Sequence, residues 1–196
     1  MLYPVPAVMV SCADNEGKPN IITVAWAGTI CSSPAMVSIS VRPERYSYDL
    51  IKEKGEFVIN LTSAGLVKAA DYCGVKSGRD TDKFKDMGLT PCEMTQVSVP
   101  GIEESPANIE CKVKQIIKLG SHDMFIAEVV AVDVSSEYMD ETGKFDLNKA
   151  GLVAYSHGEY FELGKNIGKF GFSVRKEKMP SKSKTSGSAC TSRRKK

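Results

Sequence analysis

The sequence lacks the features that mark several large classes of protein. No apolar run approaches the roughly 20 residues of a membrane span, and the first residues carry none of the basic charge that opens a secretory signal. We therefore expect a cytoplasmic protein with no membrane partner. No G-x-G-x-x-G follows an apolar run, so a Rossmann dinucleotide site is not predicted.

Metal ligands and disulfide patterns are also scarce. The chain has two histidines, His122 and His157, and its six cysteines form no C-x-x-C pair. Structural metal sites need paired ligands at short spacings, so no metal site is predicted. In a chain without a secretory signal, scattered cysteines favour free thiols in a reducing compartment.

Charge is distributed unevenly along the chain, although the net charge is only +2. Residues 174–196 hold nine Lys or Arg and a single Glu, which gives +8, whereas residues 1–173 carry −6. The end of the chain is also of low complexity and has little apolar surface to bury. We predict one domain over residues 1–173 and a basic low-complexity tail over 174–196. The acidic domain argues against a specific nucleic-acid partner.

What is present is mostly a strand pattern. Apolar runs at 7–13 and 21–30 flank the turn sequence D-N-E-G-K-P-N, which predicts a hairpin. Alternating side chains predict a strand over 35–41, and residues 152–172, rich in Gly and aromatics, predict an irregular flap. The other predicted elements are strands at 56–61, 107–119 and 124–135 and helices at 44–54 and 63–75. Antiparallel hairpins with short helices favour a mainly β, barrel-like domain.

A cluster of small residues ends the second predicted strand. Ala27, Gly28, Thr29, Cys31, Ser32 and Ser33 precede Pro34. Small side chains let backbone amides approach a planar ligand, and hydroxyls can bond phosphate or ring oxygens. The same hydroxyls would also suit an ordinary turn. Trp26, directly before the cluster, is a candidate ligand neighbour, although a lone Trp in a strand is more often a core residue.

Arg42 is the candidate anion ligand. It ends the strand that leaves the small-residue cluster, and a predicted helix follows with Ser47 near its first turn. Guanidinium groups and the free N–H groups of a helix start both attract oxyanions. We prefer Arg42 to Arg45, although either arginine is more commonly a solvated charge.

The order of these motifs resembles the flavin reductase-like family, specifically its flavoredoxin branch. The chain reads G-x-P-N-x-x-T-x-A-W, T-x-x-S-x-P, S-I-S-V-R-P-x-R-Y-S and E-F-V-I-N-L, then Asp82-Lys83-Phe84 and Ser121-His122-Asp123. Members of that branch are FMN-binding split β-barrels. The likeness extends to about Phe172.

The resemblance implies FMN as cofactor, NAD(P)H as a transient electron donor, and a homodimer with the flavin near the subunit boundary. It makes Lys83, otherwise a loop lysine, a phosphate ligand. It places His122 near the flavin face used by the nicotinamide, where composition alone would suggest a surface imidazole, and His157 could cap the site from the flap. No residue is assigned as acid or base, and Cys31 is given no redox role. The predicted cofactor-binding residues are Trp26, Ala27, Gly28, Thr29, Cys31, Ser32, Ser33, Arg42, Ser47, Asn60 and Lys83.

The predicted function is an FMN-dependent oxidoreductase that passes electrons from NAD(P)H or a protein donor to an acceptor, either a redox partner protein or free flavin. The alternative is a non-enzymatic FMN electron carrier. A third class, polyanion binding, depends only on the basic tail.

Overall fold

The computed structural model describes residues 2–175. Its strands are β1 (Val5–Pro6), β2 (Val8–Ala13), β3 (Pro19–Val24), β4 (Ala27–Ser32), β5 (Ala35–Val41), β6 (Glu56–Leu61), β7 (Pro91–Cys92), β8 (Gly101–Ile102), β9 (Ala107–Lys118), β10 (Asp123–Val134), β11 (Val153–Ser156) and β12 (Glu159–Glu162). Its α-helices are α1 (Tyr46–Lys54), α2 (Val67–Val75) and α3 (Lys83–Met87). Short 3₁₀ helices lie at Ala64–Leu66, Ser136–Tyr138, Leu147–Ala150 and Phe172–Val174.

The chain divides into two units, Met1–Leu163 and Gly164–Lys196. The first contains every strand and α-helix of the described residues, and the described part of the second contains only the last 3₁₀ helix. The predicted basic tail falls almost wholly outside the described residues, so its boundary after residue 173 stays a prediction.

Seven antiparallel strands form the main sheet, in the order β3-β2-β6-β9-β10-β5-β4. The two edge strands, β3 and β4, are joined by only Ala25 and Trp26, so the sheet must curl until its edges meet. A hydrogen bond from the Ser40 backbone N–H to the Trp26 carbonyl, 2.9 Å, links β5 to this connection. The predicted mainly β, barrel-like fold is confirmed.

Three local predictions were wrong. The apolar run at 21–30 is two strands, because the chain bends at Ala25 and Trp26 to pass from one sheet edge to the other. The predicted irregular flap at 152–172 contains the hairpin β11–β12, which pairs with β1. Lys83, which composition suggests is a loop lysine, is instead the first residue of α3, and Asp82 caps this helix by accepting a hydrogen bond from the Lys85 backbone N–H.

The barrel core follows the alternation of the strands. Val37, Ile39 and Val41 of β5 face inward as the sequence predicts, and they pack with Tyr48 and Ile51 of α1. Every residue of β2 is buried on both faces, because a second cluster from α2 and α3, including Ala70 and Phe84, covers the outer side. Helices α1 and α2 are thereby fixed beside β3, and this positions the cavities described below.

None of the α-helices in the described residues is long and apolar enough to cross a membrane.

Candidate functional site

Two neighbouring cavities lie along β3. The first, of about 340 Å³, lies among β3, the start of α1 and the end of α2. The second, of about 330 Å³, lies at the bend between β3 and β4. Ile22 and Arg45 line both cavities, so the two adjoin and form one groove. Each volume is within the range of small-molecule sites, roughly 300–1,000 Å³.

The first, basic cavity collects positive charge. Its lining includes Arg45, Lys76, Arg79 and Lys83, against a single acidic residue, Glu44. The arginines and Lys76 are solvent-exposed, so their charges can reach a ligand without rearrangement of the core. Such a cavity attracts an anion.

The start of α1 forms one wall of the basic cavity. Arg45 is the N-cap residue, and it makes no side-chain capping hydrogen bond. Tyr46 and Ser47, the first helical residues, also line the cavity. Free N–H groups at a helix start carry partial positive charge, so the helix adds to the field of the arginines. The predicted pairing of an arginine with a helix start is present, but the arginine in the basic cavity is Arg45.

Arg79 is held in place before any ligand arrives. Its Nη1 donates to the Glu44 carbonyl at 3.3 Å, and its guanidinium carbon lies 5.4 Å from the centre of the Tyr46 ring. These contacts restrict the guanidinium to the cavity side of α1, which lowers the entropy cost of binding an anion.

Gly78 leaves backbone exposed at the edge of the same cavity. A Cβ at this position would lie 2.0 Å from Asn20 Oδ1 and 2.9 Å from Tyr46 Cδ1. Asn20 is buried and its Nδ2 donates to Ser47 Oγ at 2.7 Å. Moving this side chain aside would break that hydrogen bond. Glycine is therefore required at 78, and at this position no side chain covers the backbone that lines the cavity.

The second cavity is aromatic. It is lined by Tyr3, Trp26, His122 and Tyr155 together with Arg42 and Arg45. The rings of Trp26 and His122 are in contact at an interplanar angle of 45°, with their centres 4.4 Å apart, although 43% of Trp26 is exposed. Exposed aromatic faces of this kind suit a planar ring.

His122 carries little positive charge near neutral pH. Its partial burial lowers its pKa below the usual value, and the nearby charge of Arg42 lowers it further. The imidazole is placed by α1, since Tyr48 Oη donates to Asp123 Oδ2 at 2.6 Å and so fixes the adjacent residue of the turn. His122 can therefore stack against, or donate to, a neutral ring.

Lys83 lines the basic cavity but is only 4% exposed. Its Nζ donates to the Ile21 carbonyl at 2.6 Å and to the Cys73 carbonyl at 2.8 Å, which leaves one N–H of the ammonium. Burial lowers its pKa. The side chain therefore joins β3 to α2, and any contact with an anion is secondary to that structural role.

Asn60 lies apart from the groove, in the core. Its Nδ2 donates to the Met9 carbonyl and to Ser11 Oγ, and its Oδ1 accepts from the Ile102 N–H. With 0% exposure and both ends of the amide used, Asn60 has no group left for a ligand. This geometry disagrees with the prediction that Asn60 binds the cofactor. The sequence pattern could not show that Asn60 bridges β2 and β8, because its partners are far away in the chain.

The small-residue cluster is not brought to the groove of its own chain. Ala27, Gly28, Thr29, Cys31, Ser32 and Ser33 lie on β4 and the following turn, and none of them lines either cavity. Gly28, Thr29, Ser32 and Ser33 are exposed, and a Cβ added at Gly28 would meet nothing within 4 Å. Within one chain these residues therefore do not line the groove, and their contact with a ligand stays a prediction.

The remaining predicted residues take different places. Trp26, Arg42 and His122 meet in the aromatic cavity, and Ser47 lies in the basic one. Arg42 pairs with Glu44 at 3.4 Å. His157 does not line the groove itself, but its ring lies 4.7 Å from that of Tyr3, which does.

Sequence reasoning ranked Arg45 below Arg42, and it missed Lys76, Ser77 and Arg79 as site residues. The run K-S-G-R at 76–79 combines two cations, a hydroxyl and a glycine directly after α2, and this composition was the available signal. Tyr3 and Tyr155 were also missed, because the pairing of β1 with β11 that brings them to the groove joins residues 150 positions apart.

The barrel with its groove defines the structural class as a split β-barrel, and comparison with known proteins agrees. A model of the flavin reductase like domain matches residues 1–164. The chain therefore belongs to the flavin reductase-like family.

Individual relatives support this. The structure of flavoredoxin from Desulfovibrio vulgaris (Miyazaki F) superposes with a TM-score of 0.83 at 35% identity, covering 89% of this chain and 95% of that one. Flavoredoxin from Methanosarcina acetivorans gives a TM-score of 0.79 at 26% identity, with the same coverage of 89% and 95%. An uncharacterised protein of Archaeoglobus fulgidus is 32% identical over 160 residues, which are 82% of this chain and 88% of that protein.

Proposed function

We propose that the groove binds FMN and that the protein is an oxidoreductase passing electrons through it from NAD(P)H or a reduced protein. The observation that carries this proposal is the junction of a basic cavity with an aromatic one at Ile22 and Arg45. FMN has the same two parts, an anionic phosphate and a planar ring system, joined by a polar chain. The basic cavity suits the phosphate, and the aromatic cavity suits the ring system.

The residues divide between the two ends. Arg45, Lys76, Arg79 and the start of α1 would hold the phosphate, because each supplies positive charge or free N–H groups. Trp26, His122 and Tyr155 would contact the ring. When bound, FMN itself supplies the redox chemistry, and the protein's part is to fix the ring and leave one face open to the donor. Neutral His122 can donate a hydrogen bond at that end of the groove.

Trp26 provides a direct test, because it is the sole tryptophan of the chain. Titration with FMN should quench the tryptophan fluorescence with a saturable curve, and protein purified with FMN should show the flavin absorbance band at about 450 nm. Riboflavin, which lacks the phosphate, should quench with lower affinity. Absence of both the quenching and the absorbance band would contradict the proposal.

A non-enzymatic electron carrier is the second candidate, favoured by the two similar structures that are flavoredoxins. Steady-state oxidation of NADH and of NADPH in the presence of excess FMN separates the two candidates. Turnover that depends on protein concentration supports the reductase. A protein whose bound FMN exchanges electrons with a reduced partner protein, but which shows no NAD(P)H turnover, is the carrier.

We further propose that the protein works as a homodimer in which the hairpin of β4 and β5 serves the partner's flavin. The support is the exposure of Gly28, Thr29, Ser32 and Ser33 on that hairpin and of Ile30, which is 48% exposed. Light scattering after size-exclusion chromatography tests the assembly. Replacing Thr29 by Arg should weaken FMN binding and dimerisation together, whereas a monomer that binds FMN normally would contradict this part of the proposal.

A further inference from the structure

A smaller cavity, of about 240 Å³, adjoins the aromatic cavity of the groove. The two share Thr23, Ala25 and Tyr155 as lining residues, so a ligand can extend from one into the other. We call this smaller cavity the side lobe. The basic cavity also adjoins the aromatic one, but in the proposed function it holds the FMN phosphate. The side lobe is therefore the space left for a molecule that approaches the flavin ring.

The walls of the side lobe combine aromatic rings with apolar side chains. Tyr155 and Tyr160 lie edge to face, with their ring centres 5.4 Å apart and an interplanar angle of 62°. Ala7 and Val75 add apolar surface, and Val75, the last residue of α2, is 70% exposed. Aromatic rings and apolar side chains both pack against the faces of a planar base, so these walls suit one.

Asp71 of α2 is the charged group of the side lobe. It is exposed, and its Oδ1 accepts a hydrogen bond from Tyr160 Oη at 3.4 Å. Burial, together with the charge of Asp71, raises the pKa of Tyr160 to about 12, so this hydroxyl keeps its proton at neutral pH. An ionised carboxylate is only an acceptor, and it accepts through both oxygens. The side lobe therefore offers an acceptor to a ligand that carries hydroxyl groups.

Among the described residues, no cation lines the side lobe. Lys68, one turn before Asp71 on α2, lines neither this cavity nor the two of the groove. Arg45, Lys76 and Arg79 line the basic cavity instead. A phosphate in the side lobe would therefore meet a carboxylate that no lining cation offsets, and like charges repel.

We propose that the side lobe binds the adenosine half of a nicotinamide dinucleotide donor, and that Asp71 makes the protein select NADH over NADPH. The two tyrosines and Val75 hold the base, and Asp71 accepts a hydrogen bond from a ribose hydroxyl. A carboxylate has this role in Rossmann sites for NAD. NADPH carries a phosphate where NADH has the 2′-hydroxyl, so the carboxylate repels NADPH. The inference rests on the proposed binding of FMN in the groove.

Isothermal titration of the FMN-loaded full chain with NAD⁺ and with NADP⁺ tests this without turnover, at about 0.15 M salt so that diffuse attraction is screened. NAD⁺ should bind at least about tenfold more tightly, since it gains a hydrogen bond to a charged group. Asp71→Asn keeps the size of the side chain but removes its charge, and it should lower this ratio at least about threefold, a modest change because Asp71 is exposed. Asp71→Lys should reverse the preference.

The matched control is Glu53→Gln, which removes one exposed acidic charge from α1 and lines none of these cavities. It should leave both affinities unchanged. The flavin absorbance band is recorded for every variant. Protein without this band fails at the proposed function, and the inference falls with it.

The outcomes for flavin-loaded protein concern the side lobe alone. The inference is overturned if the protein binds neither nucleotide, binds NADP⁺ as tightly as NAD⁺, or keeps its preference in Asp71→Asn and Asp71→Lys alike. FAD also carries an adenosine, so its affinity is measured beside that of FMN in the same variants. A loss in Asp71→Asn that is confined to FAD would assign the side lobe to the cofactor and would likewise overturn the inference.

Discussion

The role of Arg79 is the sharpest test of how the groove is divided. We expect Arg79→Gln to weaken FMN binding about tenfold while leaving riboflavin binding unchanged. Glutamine retains most of the side-chain length but removes the charge, so the comparison isolates the attraction to the phosphate. Because riboflavin shares the ring but lacks the phosphate, a role at the phosphate end predicts a loss confined to FMN.

The magnitude comes from the position of the guanidinium. A hydrogen bond to a charged group contributes about 1.5–3 kcal/mol, whereas an exposed ion pair contributes about 0.2–1 kcal/mol. Arg79 is exposed but already held by the Glu44 carbonyl and the Tyr46 ring. We therefore expect a value at the lower end of the first range, about 1.5 kcal/mol, which is slightly more than a tenfold change in affinity.

The assay is quenching of Trp26 fluorescence by FMN and by riboflavin, each measured at low and at high salt. The control is Lys68→Gln, an exposed cation of α2 that lines neither cavity. FMN affinity should depend less on salt in Arg79→Gln than in the unmodified protein. Equal losses for FMN and riboflavin would refute the assignment of this cavity to the phosphate, as would unchanged FMN affinity in Arg79→Gln and Arg45→Gln alike.

Four further predictions follow from the same structure. Asn60→Ala should lower the free energy of unfolding by about 3 kcal/mol, since it leaves buried partners of Asn60 unpaired, while the folded fraction binds FMN normally; urea unfolding monitored together with FMN titration checks both. His122 should titrate below about 6.5 in an NMR pH series, and because protonation then favours the unfolded chain, stability should fall as the pH drops from about 6.5 through the lower folded-state pKa, a loss absent in His122→Gln. Cys31→Ser should retain reduction of bound FMN by the donor, as measured by bleaching of the flavin band, because flavin needs no thiol to accept electrons; loss of reduction at full occupancy would reveal a thiol relay. A chain ending at Lys178 should bind FMN as before and bind heparin less tightly, since it loses most of the basic residues beyond 173; loss of flavin binding would instead make the tail part of the domain.

The sequence by itself predicted the elements whose causes are local. The alternation of Val37, Ile39 and Val41 predicts β5 because one face of a strand must be apolar, and the turn residues at 14–20 predict the hairpin of β2 and β3. Short-range patterns of this kind also placed α1 and the long pair β9–β10 within two residues of their observed ends. The order of the motifs predicted the family, which the match over residues 1–164 confirms.

The tertiary structure alone decided which side chains meet. Arg42 and Arg45 are three residues apart with similar surroundings in sequence, and only the packing of α1 against β3 places Arg45 at the junction of the two cavities. Lys83 reads as a loop cation, yet the closure of α2 over β3 buries its ammonium against two carbonyls. Asn60 has partners far away in the chain, Met9 and Ile102, for the same reason. Contacts between residues far apart in the chain depend on how the sheet curls and what the helices cover, and no local pattern contains that information.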